Sequence, residues 1–238
     1  MRKSLLILIV SCCVLGIQAQ KTVIHDANAE LRPDVKGFHG IDVSNAINLY
    51  LSQGDTETVV VSAPDLKWRD RIRTEVRDGI LHIYLENTHF SLGNTKLKAY
   101  VSFTTLDRLD ASGASDIFVD GVIAGDDLSV TLSGASDFRG AVNVKELRMN
   151  QSGASDAHIT GAVSGTAYFE SSGASDVKGY DLVTQNCNVH ATGASDIRIT
   201  VNKELTADAS GASSIYYKGA GAVRELHSSG ASAVKKSS

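Results

Sequence analysis

Asp116, Asp137, Asp156, Asp176 and Asp196 each close a copy of one pentapeptide, Ser/Thr-Gly-Ala-Ser-Asp. Carboxylates repeated in this way could collect a divalent cation or meet a ligand, and the serine in each Gly-Ala-Ser could in principle be a nucleophile. Arg139, His158, Lys178 and Arg198 stand two residues beyond four of the aspartates, which on an extended chain is the same face. Two like charges ~4.8 Å apart in water repel by about 0.9 kcal/mol before salt screening, so a basic row can offset an acidic one with no cation. An aspartate at a turn can also accept a hydrogen bond from a backbone N–H. A structural ladder, a cation site and a ligand-recognising face therefore all remain open.

A catalytic reading is harder to build. Enzymes acting on polysaccharides gather a few unlike acids and bases in one groove, whereas these acids repeat evenly through five copies. No His-Glu-x-x-His pair, phosphate-cradling glycine loop or Gly-x-Ser-x-Gly elbow occurs. Seven equivalent serines argue against the activation of any one, and the nine-residue calcium-roll motif matches neither letters nor period. The histidines at 25, 39, 82, 89, 158, 190 and 227 are scattered, and His190 and His227, two repeats apart, lie too far apart to share a metal. The sequence thus names no catalytic residue, metal ligand or cofactor. Exposed rings could stack on sugars, and Phe118, Tyr216 and Tyr217 follow motifs while Tyr50, Tyr84 and Tyr100 lie upstream. The candidate binding face comprises Asp116, Asp137, Asp156, Asp176, Asp196, Arg139, Lys178, Arg198 and Tyr216.

These residues need an element that repeats. Two further, degenerate motif copies bring the glycines to 113, 134, 153, 173, 193, 211 and 230, at spacings of 21, 19, 20, 20, 18 and 19. Such drift around a fixed core motif predicts an all-β solenoid of about 20-residue coils. Four residues before each glycine stand Leu109, Val130, Met149, Phe169, Val189, Ala207 and Leu226, and three before it stand only polar residues. This period-two alternation is that of a strand, with the apolar set facing inward. Ile117, Phe138, Ala157, Val177, Ile197, Ile215 and Val234 resume the inward set after the motif, which puts Phe118 and Tyr216 outward. Cys187 shares an inward slot with Leu128, Leu147, Ala167 and Leu205 and reads as a buried small hydrophobe. The second motif serine, Ser115 through Ser232, also falls inward, so its hydroxyl requires a partner in a neighbouring coil or at the bend. Glycine at the bend suits a place where a side chain would collide with the backbone or the adjacent coil.

Residues 41 to 103 lack the motif but keep the alternation, as at Ile47, Leu49 and Leu51 and again at Leu97, Ala99, Val101 and Phe103. Arg77-Asp78-Gly79 is a hairpin signal between two apolar runs, and Pro64 to Asp70 can form one helical turn with Trp68 as a lid. This half is expected to form broader, less regular coils of the same sheet. At the other end, the lysines of Lys235-Lys236-Ser237-Ser238 supply charge to protect an unpaired edge.

Met1-Arg2-Lys3, the apolar runs Leu5 to Val10 and Cys12 to Ile17, and Ala19 read as a signal peptide over residues 1–19, giving an exported protein. Ile9-Val10-Ser11-Cys12 offers a competing lipobox, although the residues after Cys12 stay apolar. Residues 20–37 form a lead-in and 38–238 a single domain. Removing Arg2 and Lys3 from 23 basic groups leaves 21 against 27 acidic ones, a net of −6, which disfavours nucleic acid and anionic membranes as partners. Without the leader Cys187 is the one cysteine, so no intrachain disulfide can form. No later stretch is long and apolar enough for a transmembrane helix.

The serial Ser-Gly-Ala-Ser-Asp motifs, together with the run from Ile41 to Gly54 containing Ala46-Ile47-Asn48, resemble the putative auto-transporter adhesin head GIN domain family, DUF2807, common in exported proteins of Bacteroidetes. The likeness covers residues from about Phe38 onward. Alanine stands at 46 where the family's Gly-Ile-Asn has glycine. The resemblance implies a right-handed parallel β-helix with a role in adhesion, and no catalytic residues. The function expected is a non-catalytic exported module, in the periplasm or on the cell surface, binding a polysaccharide or an envelope protein. A pectin-lyase-like enzyme and a periplasmic structural or envelope-stress protein are the alternatives.

Overall fold

The computed structural model describes residue 26, residues 28–86 and residues 95–237. The leader with its lipobox, His25 and His89 lie outside the described residues. The strands are β1 (Glu30–Leu31), β2 (Gly40–Val43), β3 (Ile47–Gln53), β4 (Thr58–Ser62), β5 (Ile72–Arg77), β6 (Ile80–Leu85), β7 (Leu97–Phe103) and β8 (Arg108–Ala111). They continue as β9 (Ile117–Leu132), β10 (Phe138–Gln151), β11 (Asp156–Ser171), β12 (Asp176–Ala191), β13 (Asp196–Ala209), β14 (Ser214–Lys218), β15 (Ala222–Ser228) and β16 (Ala233–Lys236). A short helix, α1 (Leu66–Arg69), lies between β4 and β5.

From β8 onward each strand pairs in parallel with its counterpart one repeat away, so the chain winds as a β-solenoid. A coil is one long bent strand plus one motif bend. The inward positions before and after the motif are buried through Ala207 and Ile215, and Phe138, Met149 and Phe169 fill the bore. Register shifts fall within the strands and outside the motifs, some close behind a motif, as between Arg139 and Ala141, and others farther along, as between Val144 and Leu147. Variation in repeat length is thus absorbed along the strands while the motif bends remain aligned.

At the bends the motif alanine N–H donates to the glycine carbonyl of the preceding coil, as Ala154 does to Gly134 at 2.8 Å. The motif glycines adopt φ between +72° and +84°. A Cβ on Gly153 would lie 2.4 Å from that same Gly134 oxygen, so both conformation and stacking demand glycine. The second motif serines from Ser136 to Ser213 are fully buried, each donating to the carbonyl three residues back, Ser175 to Ser172 at 3.0 Å for instance. Of the two partners expected for them, the bend's own backbone serves all. Ser115 is buried with no hydrogen-bond partner for its hydroxyl among the described residues.

The first half departs from the expected run of looser coils. The coil made by β2 and β3 pairs on one side with β8 and β9, and on the other with β6 and β7, which come later in the chain. The chain therefore lays down a coil, adds one outside it, and returns to start the repeats on its opposite side. Antiparallel strands then flank the outer coil, β5 along β6, β4 along β7 and β1 along β4. The Asp78-Gly79 pair has positive φ at both residues, 51° and 75°, and so tight a link between strands can only return antiparallel. Asp65 caps α1 by accepting from the Lys67 N–H, and half-buried Trp68 packs against the core as the expected lid.

The last coil differs from its predecessors. Leu226, expected inward, is 47% exposed because no strand among the described residues covers it. Val234 is half-buried for the same reason.

Candidate binding face

The backbone pairings place one outward residue per coil in a single row: Tyr100, Tyr50, Phe118, Arg139, His158, Lys178, Arg198, Tyr216 and Lys235. Its first three members are a ring stack. Tyr100 and Tyr50 have centroids 5.0 Å apart at 20°, and Tyr50 and Phe118 5.1 Å apart at 17°. Sheet spacing of about 4.8 Å holds consecutive rings at stacking distance without side-chain strain. The Arg139 guanidinium lies 5.9 Å from the Phe118 ring and Arg198 lies 5.5 Å from Tyr216, so cations continue the stack at both aromatic stretches.

Two residues earlier in each coil runs the acidic row, with Asp156, Asp176 and Asp196 directly paired. Its carboxylates are half-buried and used by the fold. Asp137 accepts the Asp156 N–H at 3.2 Å, and Asp156 accepts the Asp176 N–H at 3.3 Å. Arg139 reaches Asp137 at 3.5 Å and Arg198 reaches Asp196 at 3.1 Å, as the spacing predicts. Lys178 instead crosses to Asp156 of the preceding coil at 3.8 Å, because its long flexible stem can reach either neighbour. Burial, and then the nearby Asp137 charge, push the Asp116 carboxyl above its usual range. All nine predicted site residues therefore fall on one side of the solenoid, in two adjacent rows. Arg139 and Lys178 are exposed, whereas the five aspartates, Arg198 and Tyr216 are half-buried.

Tyr50 and Tyr100 join this row although they precede the repeats. Their signal is present in the sequence. Pairing of Val43 with Ala111 and of Leu49 with Ile117 makes Ser44-Asn45-Ala46-Ile47-Asn48 the counterpart of Ser112 to Asp116. Asn45, with φ of 64°, occupies the motif glycine's place, and Tyr50 that of Phe118.

A second polar grouping lies on the other side of the motif bend. Asp42, Ser44, Asn45, Arg77, His82, Ile83 and Tyr84 line a shallow cleft of about 310 Å³. His82 meets Asp42 at 3.1 Å, and the Tyr84 hydroxyl donates to Glu75 at 2.7 Å. Hydrogen bonds from Arg77 and Tyr84 hold the Glu75 carboxyl down at about 2. No group of three or more His, Cys, Asp or Glu side chains among the described residues is arranged to hold a metal ion. Cys187 is buried, and desolvation pushes its thiol well up, making it a packing residue of the bore.

Fold and face together define a parallel β-solenoid with laddered outward rows of unlike chemistry. The chain belongs to the family described as putative auto-transporter adhesin, head GIN domain (DUF2807), which matches residues 37–221. Its fold is shared with a putative adhesin from Bacteroides fragilis NCTC 9343, at 20% identity and a TM-score of 0.80 over 88% of this chain and 97% of that one. A putative lipid binding protein from Parabacteroides distasonis ATCC 8503 matches at 18% identity and a TM-score of 0.67, over 89% and 97% of the two chains. A putative adhesin from the same organism gives 21% identity and a TM-score of 0.65, over 88% and 96%. No curated protein matches the chain.

Proposed function

We propose that this protein is an exported, non-catalytic envelope module that adheres to an extended polysaccharide or a cell-surface component through its aromatic and basic row. The observation that carries the reading is the stack of Tyr100, Tyr50 and Phe118 continued by Arg139. Half-exposed rings held parallel along a rigid axis offer an apolar platform to sugar faces, and flanking Arg, Lys and Asp tips offer hydrogen bonds to hydroxyls. In this reading Asp116, Asp137, Asp156, Asp176, Asp196, Arg139, Lys178, Arg198 and Tyr216 contact the ligand as one repetitive surface. The evenness of the row suits a polymer better than a single small molecule. Residues 1–19 are the leader, 20–37 the lead-in and 38–238 the binding domain.

The test is titration of purified protein with a panel of neutral and uronic-acid polysaccharides, comparing wild type with Y50A/F118A. A ligand lost at least tenfold in affinity by the double variant supports the reading. Binding insensitive to those rings, or turnover of any polymer, sinks it. Antibody labelling of intact against permeabilised cells decides between surface and periplasm.

A further inference from the structure

We propose that the C-terminal end of the solenoid is an interface for a second copy of this chain, with β15 pairing antiparallel to β15 of the partner about a twofold axis. The slots occupied by Val223 and Leu226 are filled in the preceding coil by Leu205 and Ala207, which are buried. In the last coil Val223 is 37% and Leu226 47% exposed. Every residue of β15 is exposed, and among the described residues its only sheet partner is β13, leaving one edge of N–H and C=O groups free. At the opposite end antiparallel strands flank the outer coil and Trp68 packs against the core, although among the described residues β5 pairs only with β6 and keeps an open edge of its own. Open sheet edges recruit other strands.

What selects a second copy is the order of residues along β15. A register shift between Leu205 and Thr206 makes Arg224 an extra residue, so Val223 and Leu226 both point inward despite being three apart. Inward and outward positions then read the same in both directions about the Arg224–Glu225 bond. Reversed against itself at that centre, the strand sets Arg224 opposite the other copy's Glu225, twice, and Val223 opposite the other copy's Leu226, twice. The interface is isologous and self-limiting, as closed twofold assemblies require. Arg224 also reaches Glu204 within its own chain at 3.3 Å, with both side chains more than half exposed, a contact too solvated to hold it from a partner.

Charge exchange tests this. Sedimentation velocity of the wild type at high micromolar concentration is expected to show a dimer. R224E and E225R should each weaken it about tenfold or more, since each sets like charges in opposition twice. An equimolar mixture of the two variants should restore the dimer, because a copy with acids at both central positions then faces a copy with bases at both. E204Q, which removes only the contact within the chain, should leave association unchanged. A monomeric wild type, a dimer indifferent to both exchanges, or a mixture that stays monomeric overturns the proposal. Both residues are exposed, so the exchanges should leave the fold intact, and unchanged far-UV circular dichroism checks this.

Discussion

The motif bends and the bend at Ser44 to Asn48 turn the same corner of the same solenoid with different chemistry. In the repeats, glycine stacks on glycine, and the alanine N–H binds the carbonyl below at 2.7–2.8 Å. A Cβ at Gly134, Gly153, Gly173 or Gly193 would lie 2.4–2.5 Å from that carbonyl. Against Asn45, however, a Cβ on Gly113 would find its nearest atom at 3.4 Å. Where the spacing loosens, the fold tolerates Asn45 and Ala46 at φ of 64° and 59°, and the Asn45 side chain accepts the Leu85 N–H at 3.2 Å. The difference teaches that glycine here answers two demands, a left-handed backbone and a close neighbour, and that only the second is strict.

The sharpest break in this comparison is Gly173→Ala, which meets both demands at once. Its Cβ would press on the Gly153 oxygen at 2.4 Å with φ at +82°. A loss of about 3 kcal/mol or more is expected in urea unfolding, combining left-handed strain with overpacking against backbone that cannot move independently of its stack. Loss below about 1 kcal/mol would show that the coils separate readily.

The buried serines separate the two regions next. Ser175→Ala removes the bond to Ser172 and a contact from the Ser155 N–H, at an expected cost of about 1 kcal/mol. Ser115, beside the Ile47 coil, has no described partner to lose, so Ser115→Ala should be neutral or stabilise by up to about 1 kcal/mol. Equal effects at both sites would mean that the Ser115 hydroxyl is satisfied in solution.

Most of the repeat half was legible in the sequence, because a strict motif at near-constant spacing leaves one way to wind. Inward and outward sets followed from alternation alone, and failed at Leu226 and in part at Val234, because alternation names a face and not the strand that covers it. The first half was less legible for a physical reason. Ser44 and Ala46 match Ser112 and Ala114, but Asn45, Ile47 and Asn48 stand in the places of Gly113, Ser115 and Asp116, so the shared bend is carried by backbone geometry that two letters of five are too few to announce. Nor could local pattern reveal that β6 and β7 stack outside β2 and β3, since alternation specifies a face and not a neighbour. The aromatic row was split for that reason, with Phe118 placed outward and its stacking partners left apart.

Ala46→Gly sharpens the comparison from the other side. Relief of the left-handed alanine is worth roughly 1–2 kcal/mol, and added freedom of the unfolded chain takes back roughly 0.5–1 kcal/mol. A net gain of about 0.5–1 kcal/mol is expected in the same unfolding assay. A loss would show that the alanine methyl packs usefully at this bend and that the strain is already offset.

The smallest effect distinguishes the two regions by the sign of their pH dependence. Glu75, in the N-terminal hairpin, is held at about 2 in the fold against an ordinary 4.5. Its contribution is therefore present above the unfolded value and lost as pH falls toward the folded one. Asp116, at the head of the repeats, is raised by burial and by Asp137, so the native state binds its proton more readily than the unfolded chain does. Its ionisation opposes folding at neutral pH, and that opposition fades as pH falls through the raised value. Asp116→Asn keeps an acceptor for the Asp137 backbone while removing the charge, and should raise stability at pH 7 by a few tenths of a kcal/mol after allowance for solvent screening. Glu75→Gln should lower stability at pH 7. Both differences from wild type should shrink on acidification, one from above and one from below. A gain from Asp116→Asn that persists unchanged below pH ~3.8, the ordinary aspartate value, would mean that the substitution acts through packing and not through the carboxylate charge.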